Sequence, residues 1–309
     1  MNLSKNNLEN NTEPGSHLRW PLLLVLGFLL VCALPFVLAW NLVGPLVSLV
    51  RTSDTFSEIP LIPLVTIFLV YEKRKAIFSN ISFGWMWGAA FIVPGTILLV
   101  AGRLNLWQLS STNLVSLLVL GIALVWIGAF ALFFGAGAFR AACFPLFFLL
   151  FMIPIPEPFL AKSVFLLQAG SADMAQWFFN IAGVPNHRQG LVFELPGVAI
   201  RVAEECSGIH STLALLITTA LASYIFLKKS WKRLVLCLAV FPIALFKNGL
   251  RIATLSSLSI YVDPAFLTGN LHHHGGIVFF MIALVPMAIL LRLLQKSENS
   301  LRPAAENAS

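Results

Sequence analysis

Eight long stretches of this chain are apolar almost without interruption, at roughly residues 20–42, 57–71, 84–101, 113–134, 138–155, 206–227, 233–256 and 275–294. Runs of about 20 residues match the hydrocarbon thickness of a bilayer when coiled as helices. Inside lipid every backbone N–H and C=O needs an internal partner, which leaves only helices and closed barrels. The apolar residues here are continuous rather than alternating, so a transmembrane barrel is excluded. Composition agrees: 58% of residues are hydrophobic and 11% charged, against about 25% charged in a soluble domain. A soluble enzyme, a disordered chain and a nucleic-acid-binding domain are excluded with it. The expected fold class is an all-α polytopic membrane protein of about eight transmembrane helices. The second and fifth runs are the least regular, being short or carrying proline.

The net charge of +7 then reads as orientation, because Lys and Arg concentrate in cytoplasmic segments. With the N-terminus inside, the inner segments hold Lys5, Arg19, Lys73, Arg74, Lys75, Arg140, Lys228, Lys229, Lys232, Arg233, Arg292, Lys296 and Arg302. The outer segments hold Arg51, Arg103, Lys162, Arg188 and Arg201, while Lys247 and Arg251 fall inside a span. Thirteen against five of the 20 basic residues supports eight spans with both termini cytoplasmic. The expected organisation is a polar cytoplasmic N-terminus at 1–19, one membrane-embedded domain at 20–294 and a disordered cytoplasmic tail at 295–309. The first 18 residues lack the basic start and small-residue cleavage site of a secretory signal, so the first span is expected to be retained.

One outer connection, residues 156–205, is too long to be structureless in a compact protein. It opens with IPIPEP, which stops the preceding helix. Residues 159–182 then read as an amphipathic helix, with Val164, Leu167, Met174, Trp177, Phe178 and Ile181 on its apolar side. QGLVFELPGVAIRVAEE follows as two short strands with Pro196-Gly197 at the turn. This gives a short outer-face β-hairpin leading into Cys206.

Ionisable groups in or beside membrane spans are costly and are functional candidates. Three places qualify. In EECSGIHST, Cys206 opens a helix on the outer face, beside Glu204, Glu205, Ser207 and Gly208. A helix N-terminus favours the reactive thiolate, whereas the two carboxylates oppose it. A nucleophilic Cys206 therefore requires a nearby cation. Cys32, Cys143 and Cys237 sit in apolar runs and read as packing thiols. In FKNGLRIATL, Lys247 and Arg251 are four apart and share a helix face, and Asn248, three before Arg251, is also its neighbour. They read either as cations snorkelling toward water or as site residues. In NLHHHGGIVFF, His272, His273 and His274 precede Gly275-Gly276 and the last span. Three adjacent histidines read as a solvated loop, a fortuitous metal-binding run or a zinc site, and adjacency suits the last poorly because neighbours on a chain rarely all face one ion.

The charge-derived topology gathers these places at one membrane face. Cys206 starts span six, Arg251 lies near the outer end of span seven, and His272 precedes span eight. A thiol, an imidazole and a guanidinium at one depth suit acyl transfer: attack on a carbonyl, proton movement and oxyanion stabilisation.

These residues resemble the exosortase/archaeosortase family of membrane transpeptidases over about residues 56–285. The elements that carry the resemblance are IPLIPLVTIFLVYEKR, FLLFMIPIPEP, ELPGVAIRVAEECSGIHS, KNGLRI and HHHGGIVFF. The resemblance implies recognition of a C-terminal sorting signal on exported proteins: a short motif such as PEP, a transmembrane helix and a basic tail. It implies cleavage near the motif and transfer of the new C-terminus to a lipid or cell-surface acceptor. Cys206 would be the nucleophile, Arg251 the family's arginine, and His272 the acid/base, since its spacing to Gly276 fits best. His273 and His274 are alternatives. Two departures stand out. His210 occupies a position where the family often has Arg, one turn from Cys206, and competes as base. Gly276-Ile277 replaces the usual Gly-Trp. Glu205, Ser207, Gly208, Asn248 and Gly276 are the expected supporting residues.

No cofactor, metal or nucleic-acid partner is expected. The implied location is the bacterial cytoplasmic membrane, with the site on the outer face. Three rival readings remain: hydrolysis of the same signal without transfer, a transporter using Lys247 and Arg251, and a metal-dependent hydrolase, against which the lack of HExxH weighs.

Overall fold

A computed structural model of the chain describes residues 16–40, 44–48, 58–79, 81–203, 207–267 and 276–299, the side chains of 16–21 excepted. The chain divides into two compact units, Met1–Ser48 with Pro60–Ile153, and Leu49–Ile59 with Pro154–Ser309.

The first unit contains α1 (Ser16–Leu38), α2 (Leu61–Glu72), α3 (Trp85–Arg103), α4 (Ser111–Ala141) and α5 (Cys143–Phe148). The second contains α6 (Glu157–Ile181), β1 (His187–Gln189), β2 (Val192–Leu195), β3 (Val198–Arg201), α7 (Ile209–Phe226), α8 (Ser230–Leu238), α9 (Val240–Tyr261) and α10 (Gly276–Asn299). Large apolar side chains point outward from these helices. Leu30 is 73% and Ile277 70% exposed, as expected where the surrounding solvent is lipid.

Each apolar run overlaps helical segments, but only part of the expected span count is reached among the described residues. Among the described residues, five helical segments are long and apolar enough to cross a membrane: Trp85–Arg103, Ser111–Ala141, Ile209–Phe226, Ser230–Tyr261 and Gly276–Glu298. A sixth is obtained if Cys143–Met152 and Glu157–Ile181 form one broken span. The chain is thus a polytopic membrane protein, with five to six such spans among its described residues. The described apolar part of α1, Leu22–Leu38, and α2 are shorter. At 12 residues, α2 is about 18 Å long, against a hydrocarbon core of about 30 Å. The break between runs four and five is a single residue: Gly135 lies at φ +85°, and helix resumes directly after it. A side chain there would collide with Ser82.

In the first unit an aromatic cluster joins α1, the segment after α2 and α4. Phe28 and Phe78 each pack edge-on to Phe134, at 5.4 and 5.1 Å between ring centroids. In the second unit there are two cores. One joins α6, the sheet and the distal half of α9 through Ala172, Ala175, Phe179, Phe193, Leu195 and Ala253. The other joins α7, α8, the start of α9 and α10 through Leu215, Leu236, Val240, Ala283 and Met287.

Where two strands are expected the described chain has three, in the order β1-β2-β3, all antiparallel. Val192 pairs with Arg201 and Leu195 with Val198 across Pro196-Gly197, and Gly197 takes the left-handed φ of +79°. Alternation places Phe193 and Leu195 in the core and Glu194 outside. Arg188 of β1 fastens the sheet to α6, donating to Asp173 at 2.7 Å and to Gln176 at 3.2 Å.

The end of the last helix also departs from expectation. Residues 295–299 continue α10. The Glu298 carboxylate accepts from the backbone N–H groups of Lys228 and Lys229 at 3.0 and 2.9 Å. Lys232, buried at 1% exposure, donates to Leu294 O and Ser297 Oγ. These contacts hold a segment whose composition alone reads as solvated tail.

Candidate functional site

α7 and the α8–α9 rod form an antiparallel pair joined at Leu227–Lys229, and this sets the level of the site. α9 runs on beyond the start of α7. Gly208, the residue before α7, sits against Asn248, so that a Cβ built on Gly208 would lie 3.0 Å from Asn248 Oδ1. Asn248 is thirteen residues before Tyr261, the end of α9, or about 20 Å. Arg251 is ten residues before that end, about 15 Å. The sequence places Arg251 near the outer end of its span; the helix instead carries it well inside. The overrunning part of α9 is the part that packs on α6 and the sheet.

Gly208 is required twice over. Its φ of +71° is left-handed, which costs an L-residue about 1–2 kcal/mol, and its missing side chain makes room for Asn248. Its carbonyl accepts from Thr212 N at 2.9 Å, from Thr212 Oγ1 at 2.8 Å and from Ser211 Oγ at 3.0 Å, closing the first turn of α7. Ser207 is fully buried, and its hydroxyl accepts from the N–H of Ile209 at 3.3 Å.

Asn248, 2% exposed, donates through Nδ2 to Ser171 Oγ of α6 at 2.9 Å. It thus links the start of α7 to α6. Lys247, 4% exposed, donates to Ser211 Oγ at 2.5 Å. This corrects the snorkelling reading of Lys247: its ammonium is enclosed between α7 and α9 rather than reaching water. Arg251, one turn further along α9, is half-buried. His210 Nδ1 lies 3.5 Å from Glu58 Oε1, beyond a normal N–H···O hydrogen bond. Gly276 begins α10.

Of the candidate residues, Ser207, Gly208, His210, Lys247, Asn248, Arg251 and Gly276 are described. Among these the structure brings Gly208 to Asn248, and the first turn of α7 to Lys247 through Ser211. Glu204, Glu205, Cys206, His272, His273 and His274 lie outside the described residues. Ser171, Ser211 and Glu58 enter the site without having been singled out from the sequence. For Ser171 the available signal was the polar side of the α6 helix, which carries Ser171 one turn from Gln168. For Ser211 it was its place one turn into the helix after Cys206. Glu58 carried no local signal.

Residues 50–289 match the transmembrane exosortase family, which is most of the chain. No curated protein and no solved structure matches it. This chain belongs to the transmembrane exosortase family. Its class is that of a multi-pass membrane enzyme of protein sorting.

Proposed function

We propose that the chain is a cysteine transpeptidase acting at the outer face of a bacterial cytoplasmic membrane. The observation that carries this reading is the seat of Gly208 on Asn248. The helix that opens just after Cys206 begins beside the KNGLR turn of α9, one turn from Arg251. A thiol there lies in the field of two cations, Lys247 and Arg251, which oppose the effect of Glu204 and Glu205 and favour the thiolate.

The substrate is an exported protein with a C-terminal sorting signal, whose anchor helix enters from the bilayer and whose basic tail stays inside. The Cys206 thiolate attacks the carbonyl carbon of the scissile peptide bond. Arg251 stabilises the oxyanion. His272 delivers a proton to the leaving amine, which departs with the anchor helix, leaving a thioester on Cys206. His272 then takes a proton from the acceptor nucleophile, which attacks the thioester and frees the thiolate. Ser207, Gly208, Asn248 and Gly276 position these groups. α6 and the sheet cover the site and exclude water, which favours transfer over hydrolysis.

The proposed topology has eight membrane-crossing segments, with the shorter helices α1 and α2 and the segment 138–155 counted among them and both termini cytoplasmic. Residues 20–294 form one membrane-embedded domain, between the polar segment 1–19 and the tail from 295. The 13 to 5 distribution of basic residues supports it. The test is co-expression with a tailed substrate. Cys206→Ala should leave the signal uncleaved; normal removal in that variant refutes the proposal. The mass of the processed C-terminus separates transfer, which leaves an adduct, from hydrolysis, which leaves a free carboxylate.

A further inference from the structure

A groove along α6 takes no part in the chemistry above. Glu157, Leu160, Ala161, Val164, Phe165 and Gln168 line one wall. Their spacing of i, i+3, i+4, i+7, i+8 and i+11 is one continuous helix face. Leu191, Arg201 and Ala203 line the other wall, and the volume is about 790 Å³.

The dimensions select the shape of the occupant. Glu157 to Gln168 is about 16 Å along the helix, the length of roughly five extended residues. That length suits a short extended segment of chain.

Its two ends differ in charge. At one end Gln168 Nε2 donates to Val202 O at 3.0 Å, which fixes the exit of β3 against α6. Arg201 precedes that residue and is exposed. Its backbone pairs with Val192 in the sheet, but among the described residues its side chain forms no ion pair or hydrogen bond. Glu157 stands at the other end of the helix wall. Between the ends the wall is apolar. The Arg201 end adjoins the candidate site: Ser171, which accepts from Asn248, is one helical turn from Gln168. Ala203 is three residues before Cys206, and three residues of chain span at most about 11 Å.

We propose that this groove binds an extended peptide segment of the exported substrate, with a carboxylate side chain on Arg201 and apolar side chains on Leu160, Val164 and Phe165. Arg201 is then a specificity-determining residue: it selects the acidic position, because a guanidinium holds a carboxylate by paired, charge-assisted hydrogen bonds. The assignment of this peptide to the sorting signal rests on the function proposed above; the binding itself does not.

The test uses the full-length protein in nanodiscs and a labelled, acetylated and amidated eight-residue peptide, one glutamate among alanines and valines, with its glutamine counterpart. The wild type should bind the glutamate peptide at least about tenfold more tightly than the glutamine peptide. Arg201→Gln should equalise the two while binding the glutamine peptide as the wild type does, which shows that the groove is intact. A wild type indifferent to the charge, one that binds neither peptide, or an Arg201→Gln protein that keeps the preference overturns the proposal. If the preference is present but substrate processing survives Cys206→Ala, the groove stands and the transpeptidase reading falls. If processing needs Cys206 but ignores Arg201 and the peptide charge, the groove alone falls.

Discussion

Lys247 of α9 donates a hydrogen bond to Ser211 of α7, and this joins the FKNGLR segment to the first turn of the helix that follows Cys206. The two residues are 36 apart in sequence. Lys247 is buried, so its ammonium relies on the Ser211 oxygen, which itself donates to the Gly208 carbonyl. Ser211→Ala would leave a buried ammonium without this acceptor, at a cost of about 1–3 kcal/mol. Lys247→Met combined with Ser211→Ala should cost less than the two single changes added together. Thermal unfolding of the four proteins in one detergent measures the coupling. Strict additivity would show that the contact does not contribute.

Gly208 tests the start of α7. Gly208→Ala meets both a left-handed backbone and the Asn248 side chain. It should lower Tm and abolish processing. Adding Asn248→Ser should recover part of the stability, because it clears the space, but not the part set by φ.

Two other glycines separate packing from chemistry. A Cβ on Gly249 would lie 2.4 Å from Met174 Cβ and 2.9 Å from Ala175 N, so Gly249→Ala forces α9 away from α6. A destabilisation of about 1–3 kcal/mol is expected. A Cβ on Gly276 meets nothing within 4 Å, so Gly276→Ala should leave Tm unchanged. If it still slows processing, Gly276 acts in the proposed site and not in the fold.

The histidines are separable by kinetics. His272→Ala should lower the rate of processing by about 10²–10⁴, the usual worth of a general acid/base. His210→Gln should cost less than about tenfold, since His210 faces Glu58. The reverse order would transfer the role to His210, and Glu58→Gln would then shift the pH profile.

Arg188 should matter more than its ion-pair partner. It reaches Asp173, Gln176 and the Gly190 carbonyl, and lies over the Phe193 ring at 5.6 Å. Asp173 is largely exposed, so Asp173→Asn should cost no more than about 1 kcal/mol. Arg188→Ala removes every one of those contacts and should loosen the sheet from α6, read as faster amide exchange at Phe193 and Leu195.

The sequence by itself determined much of this protein, because its strongest signals are local. Eight apolar runs locate the helices, since backbone groups in lipid have no water to bond. Pro196-Gly197 locates a turn, because Gly197 accepts a left-handed φ. The runs did not fix span length. α2 stops at 12 residues, while α8 and α9 together make a rod of 32, Ser230–Tyr261. The continuation of α10 through 295–299 was not legible either, because it depends on Glu298 meeting Lys228 and Lys229, some 70 residues away. The charged groups of EECSGIHST and FKNGLR could be picked out as costly. Their burial, their levels and their partners could not. Only the tertiary structure set Gly208 against Asn248, enclosed Lys247 with Ser211 and carried Arg251 about 15 Å inside the end of its helix. The physical reason is that hydrophobic run length is a property of each segment alone. Depth and pairing follow from how two helices of unequal length pack side by side.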